Sequence, residues 1–120
     1  MTTGEAVRVL LVEDEPKLAF AVQTLLETIG SCEFVGTAAT GTAAIAMCAE
    51  LRPDVVILDV RLGELDGISA AVEIRRVAPR TRIVIYSGDE ASLRRANEAG
   101  FRETLLKGAI ADDLIVLVDR

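Results

Sequence analysis

Five residues of this chain have the types and spacing to do chemistry together: Glu13 and Asp14 in "LLVEDEP", Asp59 in "VVILDVRLGELDG", Ser87 in "IVIYSGDE" and Lys107 in "TLLKG". Each stands where a run of apolar residues stops. Asp59 is the sharpest case. Val55 to Leu58 read as a buried strand, and a bare carboxylate at its end costs several kcal/mol, on the order of a domain's stability margin, unless something offsets it. Two carboxylates about 4 Å apart repel by roughly 4 kcal/mol at an effective dielectric of 20. Three together need a cation or a retained proton. The donors are all oxygen, with no His or Cys among them, which points to a hard divalent ion: Mg²⁺, or Mn²⁺ in its place. Lys107 would offset part of the charge and grip an incoming phosphate oxygen. A carboxylate beside such an ion, with a hydroxyl and an ammonium opposite, is suited to forming an aspartyl phosphate.

Those residues meet only if the chain brings the ends of its apolar runs together. The runs are Val7–Val12, Glu33–Ala38, Val55–Asp59, Arg82–Tyr86 and Glu103–Leu106. Stretches of helical periodicity alternate with them: Lys17 to Ile29 ending near Gly30, Thr42–Leu51 stopped by Pro53, Gly67–Val77 before Pro79, Ala91–Ala99 capped by Gly100, and Ala111–Arg120. Strict βα alternation implies right-handed crossovers and an open, doubly wound parallel sheet of five strands. In such sheets, ligands bind outside the carboxyl ends of the strands, where the strand order reverses. All five candidate residues fall on that rim.

Composition narrows the functions. At 120 residues the chain suits one domain, with a core of Val, Ile, Leu and Ala and only three Phe and one Tyr. A net charge of −6 argues against direct nucleic-acid binding. The absence of histidine excludes His-based acid–base catalysis, His metal ligands and a phosphohistidine carrier. Cys32 and Cys48 do not make a disulfide framework and read as reduced, semi-buried residues of a cytoplasmic protein. No apolar stretch has membrane-spanning length, and the first residues are too polar for a signal peptide.

With these motifs in hand, the sequence resembles the receiver domain of two-component response regulators along essentially its whole length. The carriers are the acidic pair of "VEDEP", Asp59, the Ser87–Gly88 pair and Lys107, in order and at strand ends. The resemblance implies a flavodoxin-like (βα)5 fold with strand order 2-1-3-4-5. It implies Asp59 as phosphoacceptor, served by the phosphohistidine of a sensor histidine kinase, with self-catalysed transfer and dephosphorylation rather than turnover of an external substrate. It also implies Mg²⁺ on Asp14, Asp59 and the Arg61 backbone carbonyl, with Glu13 acting directly or through water. Ser87 would move toward the phosphate and Lys107 would pair with it. Residues 1–120 would form a single receiver domain, the N-terminal part of a longer regulator with a DNA-binding helix-turn-helix output, homodimerising on phosphorylation. Lys17, Leu18 and Phe20 would meet the kinase.

Several residues depart from the family pattern. Gly63 stands where Pro is usual, and Gly108 follows Lys107 where a cis-Pro is usual, so a trans bond is expected there. Thr104 replaces the aromatic residue three positions before the lysine, with Phe101 and Tyr86 nearby. Arg61 and Asp89 occupy the positions that tune phosphate lifetime in the family. Other readings compete with the switch. Taken alone, Asp14 reads as an N-cap before Pro16, Ser87 as a helix cap and Asp66 as a turn or cap; with Asp59 beside it, Asp14 reads as part of the acidic site. A receiver-shaped binding module would not need the acids. A hydrolytic phosphatase would need a second acid where Arg61 stands. "TAATGTAA" imitates a flavin phosphate loop but follows the second strand, not the first.

Overall fold

Among the described residues up to 109, hydrophobic periodicity becomes five parallel strands and four helices in strict alternation. These are β1 (Val7–Val12), α1 (Pro16–Glu27), β2 (Cys32–Ala38), α2 (Gly41–Leu51), β3 (Val55–Asp59), α3 (Gly67–Val77), β4 (Arg82–Ser87), α4 (Glu90–Glu98) and β5 (Thr104–Leu106), followed by a 3₁₀ turn at Lys107–Ala109. The computed structural model describes residues 6–63, 65–109, 112–114 and 116. The helix expected over residues 111–120 lies largely outside the described residues. Of those that are described there, 112–114 and 116 are helical and Leu114 is buried.

The sheet order is β2-β1-β3-β4-β5, with every pairing parallel. This is the doubly wound, flavodoxin-like arrangement, and the order reverses between β1 and β3, where the acids stand. β3 lies at the centre and is buried at all five positions. A strand covered on both faces reads as a continuous apolar run rather than an alternating one, as Val55 to Leu58 do.

Strand alternation sends the core into two layers. Leu10, Val12, Val56, Leu58 and Ile85 pack with α2, α3 and α4. Val9, Leu11, Val55, Ile57, Val84, Tyr86 and Leu105 pack with α1 and Leu114 on the other face. Each fully buried Val, Leu or Ile contributes roughly 1.5–3 kcal/mol to holding the sheet together.

Helix starts depart from the expectation in instructive ways. Glu15, not Asp14, caps α1: its carboxylate accepts from the Leu18 N–H at 2.7 Å, with Pro16 in the first turn. Asp14 is thereby left out of the cap and exposed at the rim. Asp89 caps α4 by accepting from the Ser92 N–H at 2.7 Å, so Ser87 is not the capping hydroxyl. Asp66 stands at the N-cap of α3 without a side-chain capping bond and pairs instead with Arg95 at 3.5 Å. Strand ends shift by a residue at β2, β4 and β5, within ordinary fraying. No cis peptide occurs among the described residues. Gly100 ends α4 with φ +98°, a left-handed turn that glycine adopts without penalty.

Candidate functional site

Register and the two-residue period of a strand determine which side chains converge. Leu58 pairs with Val12, so Asp59 and Glu13 leave β3 and β1 side by side. Asp59 in turn pairs with Tyr86, and Tyr86 with Leu105. Counting alternate residues from Ile57, Leu11, Val84 and Leu105 puts Asp59, Glu13, Tyr86 and Lys107 on the same face of the sheet. Ser87 and Asp14 have the opposite parity, shared with Ile85 and Val12.

The result is a compact charged group. Asp59 is 3% exposed and Glu13 2% exposed. Lys107 Nζ donates to Asp59 Oδ2 at 2.8 Å and lies 3.2 Å from Glu13 Oε1. The Arg61 N–H donates to Asp59 Oδ1 at 3.1 Å, so the turn after β3 folds back over the carboxylate. The Glu15 N–H donates to Glu13 Oε2 at 3.0 Å, and the Tyr86 hydroxyl donates to Glu13 Oε1. Carboxylate oxygens of Glu13, Asp14 and Asp59 all lie within 4.8 Å of one another. Oxygen donors at that spacing, two of them buried, fit a hard divalent ion, and Lys107 alone does not balance three acids.

Electrostatics divide the two buried acids. Burial pushes Asp59 above its ordinary range, prevailing over the Lys107 and Arg61 hydrogen bonds, and Glu13 adds to the rise. Burial also acts to raise Glu13, but Tyr86, the Glu15 N–H and Lys107 outweigh it and hold that carboxyl low. Burial opposes the charge on Lys107, yet Asp59 and Glu13 together raise it above its ordinary value. Although the ion pair by itself would lower Asp59, burial dominates at a group so nearly closed from solvent.

A cleft of about 360 Å³ opens over Asp59, lined by Arg61, Ser87, Gly88, Asp89 and Lys107. Ser87 Oγ accepts from the Asp89 N–H at 3.3 Å. Arg61 and Asp89 pair across the mouth at 3.4 Å. A second opening of about 490 Å³ lies beside Asp14, between Thr40 and Gly63. A larger cleft of about 520 Å³, lined by Arg52, Pro53, Asp54 and Arg80, lies at the opposite ends of the strands; it gathers no comparable cluster, so size does not locate the chemistry.

All five residues singled out by sequence thus stand on one rim. Glu13, Asp14 and Asp59 form the acidic group, Lys107 bridges two of them, and Ser87 lines the same cleft as Asp59. Two contributors were not foreseen. Tyr86 has its hydroxyl on Glu13, a position readable in hindsight from the alternation of "IVIYS". Gly67 was read only as a helix start, yet a Cβ there would lie 2.1 Å from the Asp59 carbonyl oxygen, so α3 sits directly against the end of β3. Nothing in a single sequence marks that approach.

A doubly wound sheet carrying an acidic pair, a strand-end Asp, a hydroxyl and a Lys on its switch-point rim is the arrangement of a receiver module. The chain belongs to the response regulator receiver domain family, whose sequence model matches residues 9–119. It is 30% identical over 111 residues to the response regulator protein VraR of Staphylococcus epidermidis, covering 91% of this chain and 53% of that protein. The chain therefore spans about half the length of the curated relatives it matches. Among solved structures, it resembles the signal receiver domain of the putative response regulator NarL from Mycobacterium tuberculosis, at TM-score 0.86 and 31% identity over 95% of this chain and 94% of that one. It also resembles a two-component response regulator of the LuxR family from Aurantimonas, at TM-score 0.87 and 27% identity over 96% and 84% of the two chains. It is a receiver domain of a two-component response regulator, a family that in general does not turn over external substrates. Among the described residues, no helix is long and apolar enough to cross a membrane.

Proposed function

We propose that Asp59 is the phosphoacceptor of a divalent-ion-dependent switch. The observation that carries this reading is the position of Lys107, donating to Asp59 at 2.8 Å and lying 3.2 Å from Glu13, inside a cluster of three acids. A carboxylate oxygen of Asp59 attacks the phosphorus of the donor, a phosphohistidine on a sensor histidine kinase. The P–N bond breaks, and its electron pair leaves with the imidazole. Mg²⁺, or Mn²⁺, held by Glu13, Asp14, Asp59 and the Arg61 carbonyl would neutralise charge on the acids and the transferring phosphoryl group.

The chain's own residues do the rest. The Arg61 N–H orients the Asp59 carboxylate, Lys107 holds it and then contacts the phosphoryl oxygens, and Ser87 donates its hydroxyl from across the cleft. The added charge shifts a two-state equilibrium of the domain and so controls an output. Because the curated relatives it matches are about twice as long, and a LuxR-family regulator is among the similar solved structures, residues 1–120 are assigned as the N-terminal receiver of a longer cytoplasmic protein with a DNA-binding output, which homodimerises on phosphorylation. The receiver itself makes no nucleic-acid or membrane contact in this reading. Exposed Phe20, 71% accessible on α1, together with Lys17, is available to the kinase.

Intact mass after incubation with Mg²⁺ and acetyl phosphate tests the proposal. One added phosphoryl group, absent with chelator and in Asp59→Asn, is expected. Mg²⁺ binding without an adduct from either acetyl phosphate or a phosphorylated kinase would refute it.

A further inference from the structure

Tyr86 is fully buried in the layer between the sheet and α1, among Val84, Leu105 and Leu114. A phenylalanine would fill that volume equally well. The hydroxyl is what differs, and it donates to the most enclosed acid of the site. Glu13 is thereby held at both oxygens: Oε1 faces the Tyr86 hydroxyl and Lys107 Nζ, and Oε2 accepts from the Glu15 N–H. The Lys107 ammonium lies 4.9 Å from the centroid of the Tyr86 ring, so the same ring supports the cation that bridges Glu13 and Asp59.

We propose that Tyr86 is a positioning residue of the acidic site: its hydroxyl fixes the Glu13 carboxylate beside those of Asp14 and Asp59, and so sets the affinity for a divalent cation. Groups that orient metal-binding carboxylates typically change metal affinity 10–100-fold when removed. With two other restraints left on Glu13, the loss here sits near the lower bound, roughly tenfold. The proposal rests on the metal-dependent reading of the site, and the experiment separates the two.

The test is a double-mutant cycle on the 120-residue chain, titrated calorimetrically with MgCl₂ alone: wild type, Tyr86→Phe, Glu13→Gln and the pair. Tyr86→Phe is expected to weaken Mg²⁺ binding roughly tenfold, with no further loss beside Glu13→Gln. A smaller loss, or one that persists in the Glu13→Gln background, overturns the positioning role while leaving the metal reading intact. Failure of the wild type to bind Mg²⁺ overturns the metal reading, and this proposal with it. A metal-free readout checks the contact itself. Tyr86 is the only tyrosine and the chain has no tryptophan, so ultraviolet-excited emission reports this ring alone. A carboxylate acceptor quenches phenol emission by taking its proton in the excited state. Glu13→Gln should brighten it; unchanged emission would overturn the proposal.

Discussion

Replacing Lys107 with methionine keeps most of the side-chain volume and removes the one cation that, among the described residues, pairs with Glu13 and Asp59. At an effective dielectric of 20, charges 2.8 and 3.2 Å apart attract by about 6 and 5 kcal/mol respectively. The acids left behind repel by about 3.5 kcal/mol per pair at the 4.8 Å limit of their spacing. Most of the gross attraction is offset by desolvation of the ammonium, and breaking a buried ion pair from one side costs about 3–5 kcal/mol. Lys107 keeps 24% of its side chain accessible and Asp14 is exposed, so water reaches the vacated space and the expected loss is about 2–4 kcal/mol. Urea unfolding in chelator reads this loss directly. Under saturating Mg²⁺ the gap to wild type should narrow, because an ion bound only by the folded state stabilises it by RT ln(1 + [L]/Kd), and the variant has no ammonium to compete with the ion. A loss below about 1 kcal/mol in chelator, or an equal loss with and without Mg²⁺, would refute the account of Lys107 as the counter-ion of these acids.

Gly67→Ala should destabilise the domain by about 1–3 kcal/mol, because a Cβ 2.1 Å from the Asp59 carbonyl forces α3 or the end of β3 to move. It should also slow phosphorylation; unchanged stability and rate would contradict the close packing. Burial pushes the Cys48 thiol up to about 12 and also raises half-buried Cys32. Near pH 8 the folded domain should therefore release at most one thiol to a disulfide reagent, slowly, and both only on unfolding. At alkaline pH the sign follows from two raised groups. Lys107 lies above its ordinary 10.5, and burial, with Glu13, pushes Tyr86 above its ordinary 10.0. Their contributions are fully present below those unfolded values and are lost as pH rises beyond them. Tyrosinate absorbance should thus appear together with loss of circular dichroism, and a tyrosinate that forms in the folded domain would contradict the buried Tyr86–Glu13 contact.

The architecture was legible because βα alternation admits few topologies, and the candidate site because strand ends of a parallel sheet share one rim. Asp59 stood out through contrast with Val55 to Leu58, and Lys107 through its place after the last apolar run. Boundaries were less legible: whether Asp14 or Glu15 caps α1 depends on which carboxylate reaches the Leu18 N–H, a matter of backbone angle rather than residue type. Tyr86 was read only as a nearby ring, because its partner Glu13 is distant in sequence and register alone brings them together. Gly67 was invisible as a packing residue, since nothing local records the approach of α3 to the end of β3.

The most direct measurement is to treat the domain with Mg²⁺ and acetyl phosphate, reduce it with borohydride, which converts an aspartyl phosphate to homoserine, and map the peptides by mass spectrometry. Homoserine is expected at position 59 and nowhere else. Reduction at Asp14, a borohydride-stable phosphate on Ser87, or an unmodified Asp59 in protein shown to bind Mg²⁺ would contradict it.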